Sequence, residues 1–97
     1  YTMNIYSSNG TMFRPGMINT TLSPTLYLGQ SNITDMYDET HFIWTRQSPD
    51  SDGDHYWNTA HANGTKGLHI TNEDVFGGAS FTCSFFNEDK ELARAVF

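Results

Sequence analysis

A single cysteine, Cys83, stands among 97 residues. One thiol can neither build a disulfide framework within the chain nor supply an all-cysteine zinc site. Basic residues are scarce too: five Lys and Arg face eleven Asp and Glu, for a formal net charge of -6. So few scattered cations argue against a surface for nucleic acid or for an anionic membrane. No apolar run approaches the ~20 residues of a membrane-spanning helix, so no membrane insertion is expected. Leucine and alanine are also sparse.

What the chain does have is hydroxyls and rings. Twelve Thr and eight Ser put a small hydroxyl at 20 of 97 positions, and seven Phe, five Tyr and two Trp supply large apolar area. Thr and the aromatics suit a pleated, half-buried surface, while Asn, Gly and Ser punctuate turns, so the composition is β-rich. At ~25 cal/mol per Å², several buried aromatics offset much of the ordering entropy of a chain this size, which excludes disorder. The length suits one domain, residues 1–97. Beginning at Tyr1 and ending on Ala95-Val96-Phe97, the chain reads as a segment of a longer protein.

Alternation predicts the strands. Met3 and Ile5 share one face of Thr2 to Tyr6, and Asn9-Gly10 signals a turn. A short extended piece, Thr11 to Gly16, ends at Pro15-Gly16. Leu22, Leu26 and Leu28 share one face of a strand from about Thr20 to Leu28. Pro24 inside that run predicts an edge position or a bulge, because proline cannot donate to the ladder. Gly29 to Glu39 is a polar connection, and His41 to Arg46 is a strand with Phe42 and Trp44 on one face. Ser48 to Asp54 is expected to be an acidic loop, with Tyr56-Trp57 in a short extended segment and Asn63-Gly64 in a turn. Leu68 and Ile70 point inward from the next strand, Asn72 to Val75 make one tight turn, and Phe81, Cys83 and Phe85 alternate inward. Glu91 to Phe97 follows a hairpin-sized turn; its pattern allows helix or strand, and strand is preferred because it gives the preceding strands an antiparallel partner. About seven short strands make an antiparallel sandwich the expected architecture.

Two segments resemble the immunoglobulin-like superfamily. The first is Phe42-Ile43-Trp44-Thr45; the second runs from Leu68-His69-Ile70 through Asn72 to Val75 and on to Phe81-Thr82-Cys83. In that superfamily a Trp on the third strand packs at the core centre, and the penultimate strand carries an aromatic two residues before a Cys. Trp44, Phe81 and Cys83 match. The resemblance implies an all-β, immunoglobulin-like sandwich with a core of Leu26, Leu28, Phe42, Trp44, Leu68, Ile70, Phe81 and Cys83. The partner cysteine is missing, with Leu26 as the candidate for its place, so this core has no disulfide. Phe81 lacks the hydroxyl of a tyrosine corner. A disulfide-free core suits a module that matures in a reducing cytosol.

The order of several motifs is similar, more closely, to immunoglobulin-like modules of tailed-bacteriophage tail proteins. These motifs are Asn9-Gly10-Thr11-Met12-Phe13-x-x-Gly16, Thr20-Thr21-Leu22 with Leu26-Tyr27, Phe42-x-Trp44-Thr45-Arg46, and Asn72 through Cys83. The likeness spans roughly residues 9 to 86. It implies a non-catalytic virion role in a tail-tip, fibre or baseplate protein, with other domains of that protein as partners and weak adhesion to host cell-wall polysaccharide.

Asp50, Asp52 and Asp54 alternate as a calcium loop begins, but His55 and His61 stand where an EF-hand needs Gly and Glu, leaving a solvated acidic loop. His41, His55, His61 and His69 lack the spacing of metal-ligand pairs, so neither metal nor cofactor is expected. No local signature joins a nucleophile to a base, and no enzyme activity is expected. Tyr56 and Trp57, with His55 and Asn58 and with Tyr37 from the polar connection, form the candidate carbohydrate-binding cluster, which would alternatively make the chain a dedicated carbohydrate-binding module. Against it stands the reading that Trp57 covers an end of the sandwich. Asn9, Asn19, Asn32 and Asn63 each begin an Asn-x-Ser/Thr sequon. Used, they would indicate a glycosylated extracellular receptor or adhesion domain of a eukaryote or its virus; the lone cysteine favours the virion.

Overall fold

The computed structural model describes residues 1–8, 19–75 and 78–97. The turn expected at Asn9-Gly10, the extended piece Thr11 to Gly16 and the Asn9 sequon lie outside the described residues. Two antiparallel sheets pack face to face. The first comprises β1 (Thr2–Ser7), β2 (Asn19–Leu28), β3 (Ser31–Asn32) and β5 (Leu68–Thr71). The second comprises β4 (Phe42–Gln47), β6 (Ser80–Asn87) and β7 (Lys90–Val96), in the order β4-β6-β7. A helix, α1 (Ser51–Ala60), follows β4. No helix among the described residues is long and apolar enough to cross a membrane.

Period-two alternation decides which side chains meet between the sheets. From the first sheet, Met3, Leu22, Leu26, Leu68 and Ile70 are buried; from the second, Phe42, Trp44, Phe81, Cys83 and Phe85. Trp44 is paired across the ladder with Cys83, and Phe42 with Phe85, so the largest side chain lies opposite the smallest. Leu28 departs from the expected core and is 51% exposed. It has inward parity but lies one residue beyond the last partner of β1, Tyr27, and pairs only with Ser31 in the tight β2–β3 turn. Ile33 is buried instead, its N–H donating to the Leu26 carbonyl at 2.8 Å.

Pro24 sits in a strand paired on both sides, yet at a local edge. Its ring nitrogen needs a place in the ladder without a partner. Beside β2, β5 ends its pairing at Leu22 and β3 begins at Tyr27, so Pro24 falls in the gap between them. On the other side Pro24 is opposite Ile5. The neighbouring Ser8–Thr21 pair is bonded, Ser8 N–H to Thr21 carbonyl at 3.0 Å, and bonded pairs alternate, which makes Ile5–Pro24 a non-bonded pair. The β1–β2 ladder therefore loses nothing to the proline.

From Ser51 on, the segment expected to be an acidic loop, with extended Tyr56-Trp57 after it, is instead helical. Asp50 caps α1: its carboxylate accepts from the Gly53 N–H at 3.0 Å, and its carbonyl from the Asp54 N–H at 2.9 Å. Asp52 and Asp54 add negative charge in the first turn, where the helix dipole favours it. A side chain at Gly53 would collide with the Asp50 carboxylate.

After α1 the chain reverses at Gly64, whose φ of +82° suits glycine; a Cβ there would approach the Phe42 carbonyl to 2.9 Å. The last segment is a strand. A two-residue turn with Glu88 at φ 53° and Asp89 at φ 64° leads into β7, the mirror-image geometry favoured in hairpins. Its register shifts at Phe85/Phe86, leaving Leu92 as the extra residue of a bulge.

Candidate functional site

The most connected group of polar side chains surrounds the inner face of α1. Asp54, Trp57, Asn58 and His61 recur at helical spacing and turn toward β4 and the β5–β6 connection. The Arg46 guanidinium, on β4, donates from Nε to Asp54 Oδ1 at 2.7 Å and from Nη1 to the Asp74 carbonyl at 3.2 Å. Ser48 donates its N–H to Asp54 Oδ2 and its hydroxyl to Asp54 Oδ1, each at 2.7 Å. Asn58 accepts the Arg46 backbone N–H at 2.7 Å, which covers the outer edge of β4. Burial alone would raise the Asp54 pKa; the Ser48 hydrogen bonds and the Arg46 charge outweigh it and hold the carboxyl below its ordinary value.

Trp57 joins this group from the helix. It is only 8% exposed and packs its ring against Phe81, with centroids 5.5 Å apart. Its Nε1–H donates to Asp74 Oδ1 at 3.0 Å, while Asp74 Oδ2 accepts the Thr71 N–H at 2.8 Å. His61 stacks on its face at 3.8 Å and donates from Nδ1 to the Trp57 carbonyl at 2.7 Å. Arg46 lies 5.9 Å from the ring centre. These groups hold one another, and among the described residues no buried side-chain nitrogen or oxygen lacks a hydrogen-bond partner.

The candidate carbohydrate cluster is not brought together. Helical geometry turns successive residues by about 100°, so Trp57 faces inward while His55 and Tyr56 face solvent, Tyr56 at 75% exposure. Tyr37 lies elsewhere: its ring meets Phe85 at 4.7 Å and His41 at 5.2 Å. Phe85 is four residues along β6 from the Phe81 that Trp57 covers, about 13 Å at the usual strand rise. Burial, then a side-chain hydrogen bond with Tyr1 that favours the neutral phenol, raises the Tyr37 pKa. Nearby, Asp38 caps a short 3-10 turn, Glu39–His41, through the Thr40 hydroxyl and N–H, and those bonds lower its pKa. What remains exposed of the cluster is the His55–Tyr56 pair, with ring centres 6.0 Å apart.

The acidic run does not converge on one point either: Asp50 caps, Asp54 binds Arg46, and Asp52 is exposed. Among the described residues no three His, Cys, Asp or Glu side chains gather as a metal site. Burial pushes the Cys83 thiol up to about 12, which keeps it protonated and un-nucleophilic at neutral pH. Of the sequon asparagines described, Asn19, Asn32 and Asn63 are exposed, and the Asn32 side chain accepts from the Thr34 N–H and hydroxyl.

Arg46, Asn58, His61 and Asp74 were not anticipated as a group. The available signal was the Asp54, Trp57, Asn58, His61 spacing, which fits a helix face, but three of these four positions are polar and hydrophobic periodicity does not register them. Comparisons with protein-family models, curated proteins and solved structures return no match to this chain.

Proposed function

We propose that this chain is a non-catalytic, immunoglobulin-like module of a bacteriophage tail-tip, fibre or baseplate protein. In this reading it spaces or decorates the tail and adheres weakly to cell-wall polysaccharide. The observation that carries the spacer role is where the chain ends sit. The Tyr1 ring lies 5.7 Å from Phe85, whereas Phe97 exchanges backbone hydrogen bonds with Phe81, at 2.7 and 3.1 Å. The two ends therefore lie at opposite poles of the sandwich, which suits a bead in a linear array. The immunoglobulin-like assignment draws support from the strand order, β4-β6-β7 facing β1-β2-β5, and from the Trp44–Cys83 pairing with Phe81 two residues before the cysteine. The internal bonding of the α1 group supports a structural rather than catalytic use of its polar residues.

An antibody raised against the isolated domain tests the virion assignment. It should decorate one end of purified phage particles in immunogold electron microscopy; particles that carry the parent gene but never bind the antibody would overturn it. The exposure of Asn19, Asn32 and Asn63 favours, as a second reading, a glycosylated ectodomain. Mass spectrometry of native material finding these asparagines unmodified removes that reading.

A further inference from the structure

We propose that the outer face of the first sheet, rather than α1, is the adhesive surface of this domain, and that it takes an uncharged polysaccharide. This site gives the adhesion proposed above a place and a ligand class, and it rests on that reading.

Charge is unevenly placed. The chain has five Lys and Arg and eleven Asp and Glu. None of them stands in β1, β2, β3 or β5. The second sheet, by contrast, carries Arg46 on β4 and Lys90, Glu91 and Arg94 on β7. A solvated protein surface ordinarily mixes charges of both signs, which keeps it soluble and unattached. The alternation that turns Met3, Leu22 and Leu26 inward turns their neighbours outward. On the outer face Tyr6 therefore stands opposite Ser23, Asn4 opposite Thr25, and Thr2 opposite Tyr27. One strand further, Thr21 faces His69 on β5, their side chains 3.4 Å apart.

This set of side chains selects its ligand. Tyr6 is 67% exposed, and Tyr27 is half-buried. The two rings stand about 13 Å apart along the strand direction and one strand apart across it. Asn4, Ser23 and Thr25 lie between them. A phenol ring is a rigid, amphipathic platform that costs little entropy to order. A pyranose lays its C–H face on such a ring and turns its hydroxyls outward, where Ser, Thr and Asn can both donate and accept. An anionic polymer finds no cation on this face and meets a chain of net charge -6. A protein partner would be expected to bury an apolar centre, yet no outward position of β1, β2 or β5 holds an aliphatic side chain. Hydroxyl-for-water exchange gains little per bond, so one face binds weakly and many copies on one particle bind by avidity.

Affinity electrophoresis of the intact chain tests the site. Native gels are cast with dextran, galactomannan or hydroxyethyl cellulose as neutral polymers, and with teichoic acid as the anionic one. At least one neutral polymer should retard the domain, to the same extent at low and high salt, and teichoic acid should not. Tyr6→Ala should weaken that binding about tenfold. Asn4→Asp, which puts a charge at the centre of the face with little change of shape, should weaken it too. Both positions are exposed, and unchanged urea midpoints would show that the variants fold. Tyr56→Ala, on α1, should bind as the parent does. Retardation that survives both Tyr6→Ala and Asn4→Asp would overturn the site while leaving the adhesion reading standing. Retardation by teichoic acid instead would overturn the ligand class. Retardation by none of the polymers would remove the site and the adhesion reading together. A dimer in sedimentation velocity that Tyr6→Ala dissolves would make the face a contact between copies of this chain, and would also overturn the proposal.

Discussion

Trp44 provides the sharpest test of the core. It is fully buried, lies opposite Cys83 in the ladder, and donates from Nε1 to the Thr65 carbonyl at 2.9 Å. That bond fastens the chain after α1 to the start of β4, where the Thr65 N–H also donates to the Phe42 carbonyl at 3.0 Å. Removing the indole costs the transfer and cavity terms of a large ring, about 3–5 kcal/mol. Loss of the donor to Thr65 adds about 1 kcal/mol. A domain of this length has roughly 5–15 kcal/mol in all, so Trp44→Ala should remove a large share of it. Trp44→Phe keeps most of the ring and loses the hydrogen bond, and should cost about 1–2 kcal/mol. Equilibrium urea denaturation followed by far-UV circular dichroism measures both, with Trp57 left as an independent fluorescent reporter. A loss under about 1 kcal/mol for Trp44→Ala would refute the placement of Trp44 in a close-packed core. If the alanine variant is unfolded in buffer, Trp44→Phe carries the comparison, and an unchanged midpoint for it would refute the role of the Thr65 bond.

Three further outcomes follow from the same structure. Asp50→Ala removes the cap of α1 and should cost about 1 kcal/mol, whereas Asp50→Ser should recover most of it; equal losses in urea titrations would show that the cap is not responsible. The depressed pKa of Asp54 means that its stabilisation is present above the unfolded carboxyl value of about 3.9 and is lost as pH falls through the lower folded value. Asp54→Asn should therefore lower the melting temperature at pH 7 and converge on the parent in acid; a constant gap across that range would contradict the assignment. Cys83, raised to about 12 by burial, favours folding below its unfolded pKa and loses that contribution as pH rises toward the folded one. The folded protein should resist thiol reagents at neutral pH and react after addition of urea, and rapid labelling without denaturant would show that the thiol is exposed.

Much of the sandwich was legible because its strands are half buried. Leu22 and Leu26, Phe42 and Trp44, and Phe81, Cys83 and Phe85 each alternate with polar neighbours, and a period of two specifies both the strand and its inward face. Leu28 shows the limit of that logic. It has the right parity, but parity cannot say where the neighbouring strand stops, and β1 stops at Thr2, opposite Tyr27. The helix was missed for a related reason. Its buried face is written in Asp54, Asn58 and His61 around Trp57, and such residues become inward-facing only when Arg46 and Asp74 are there to receive them. Read as extended, residues 55–57 would alternate; wound into a helix, they send Trp57 to the core and leave Tyr56 in water.

The amino-acid sequence by itself determined the β-rich class, the inward faces of β2, β4 and β6, and the role of Cys83 as a buried apolar group. Those depend on local periodicity and on the cost of leaving aromatic surface in water. Only the tertiary structure decided that the acidic run opens a helix capped by Asp50, that Pro24 lies in a gap between two neighbours of β2, and that Lys90–Val96 is a strand. It also decided that the two ends leave from opposite poles. Each of these depends on which segments meet across long sequence separations, where one hydrogen-bond partner or one strand end changes the lowest-energy local structure.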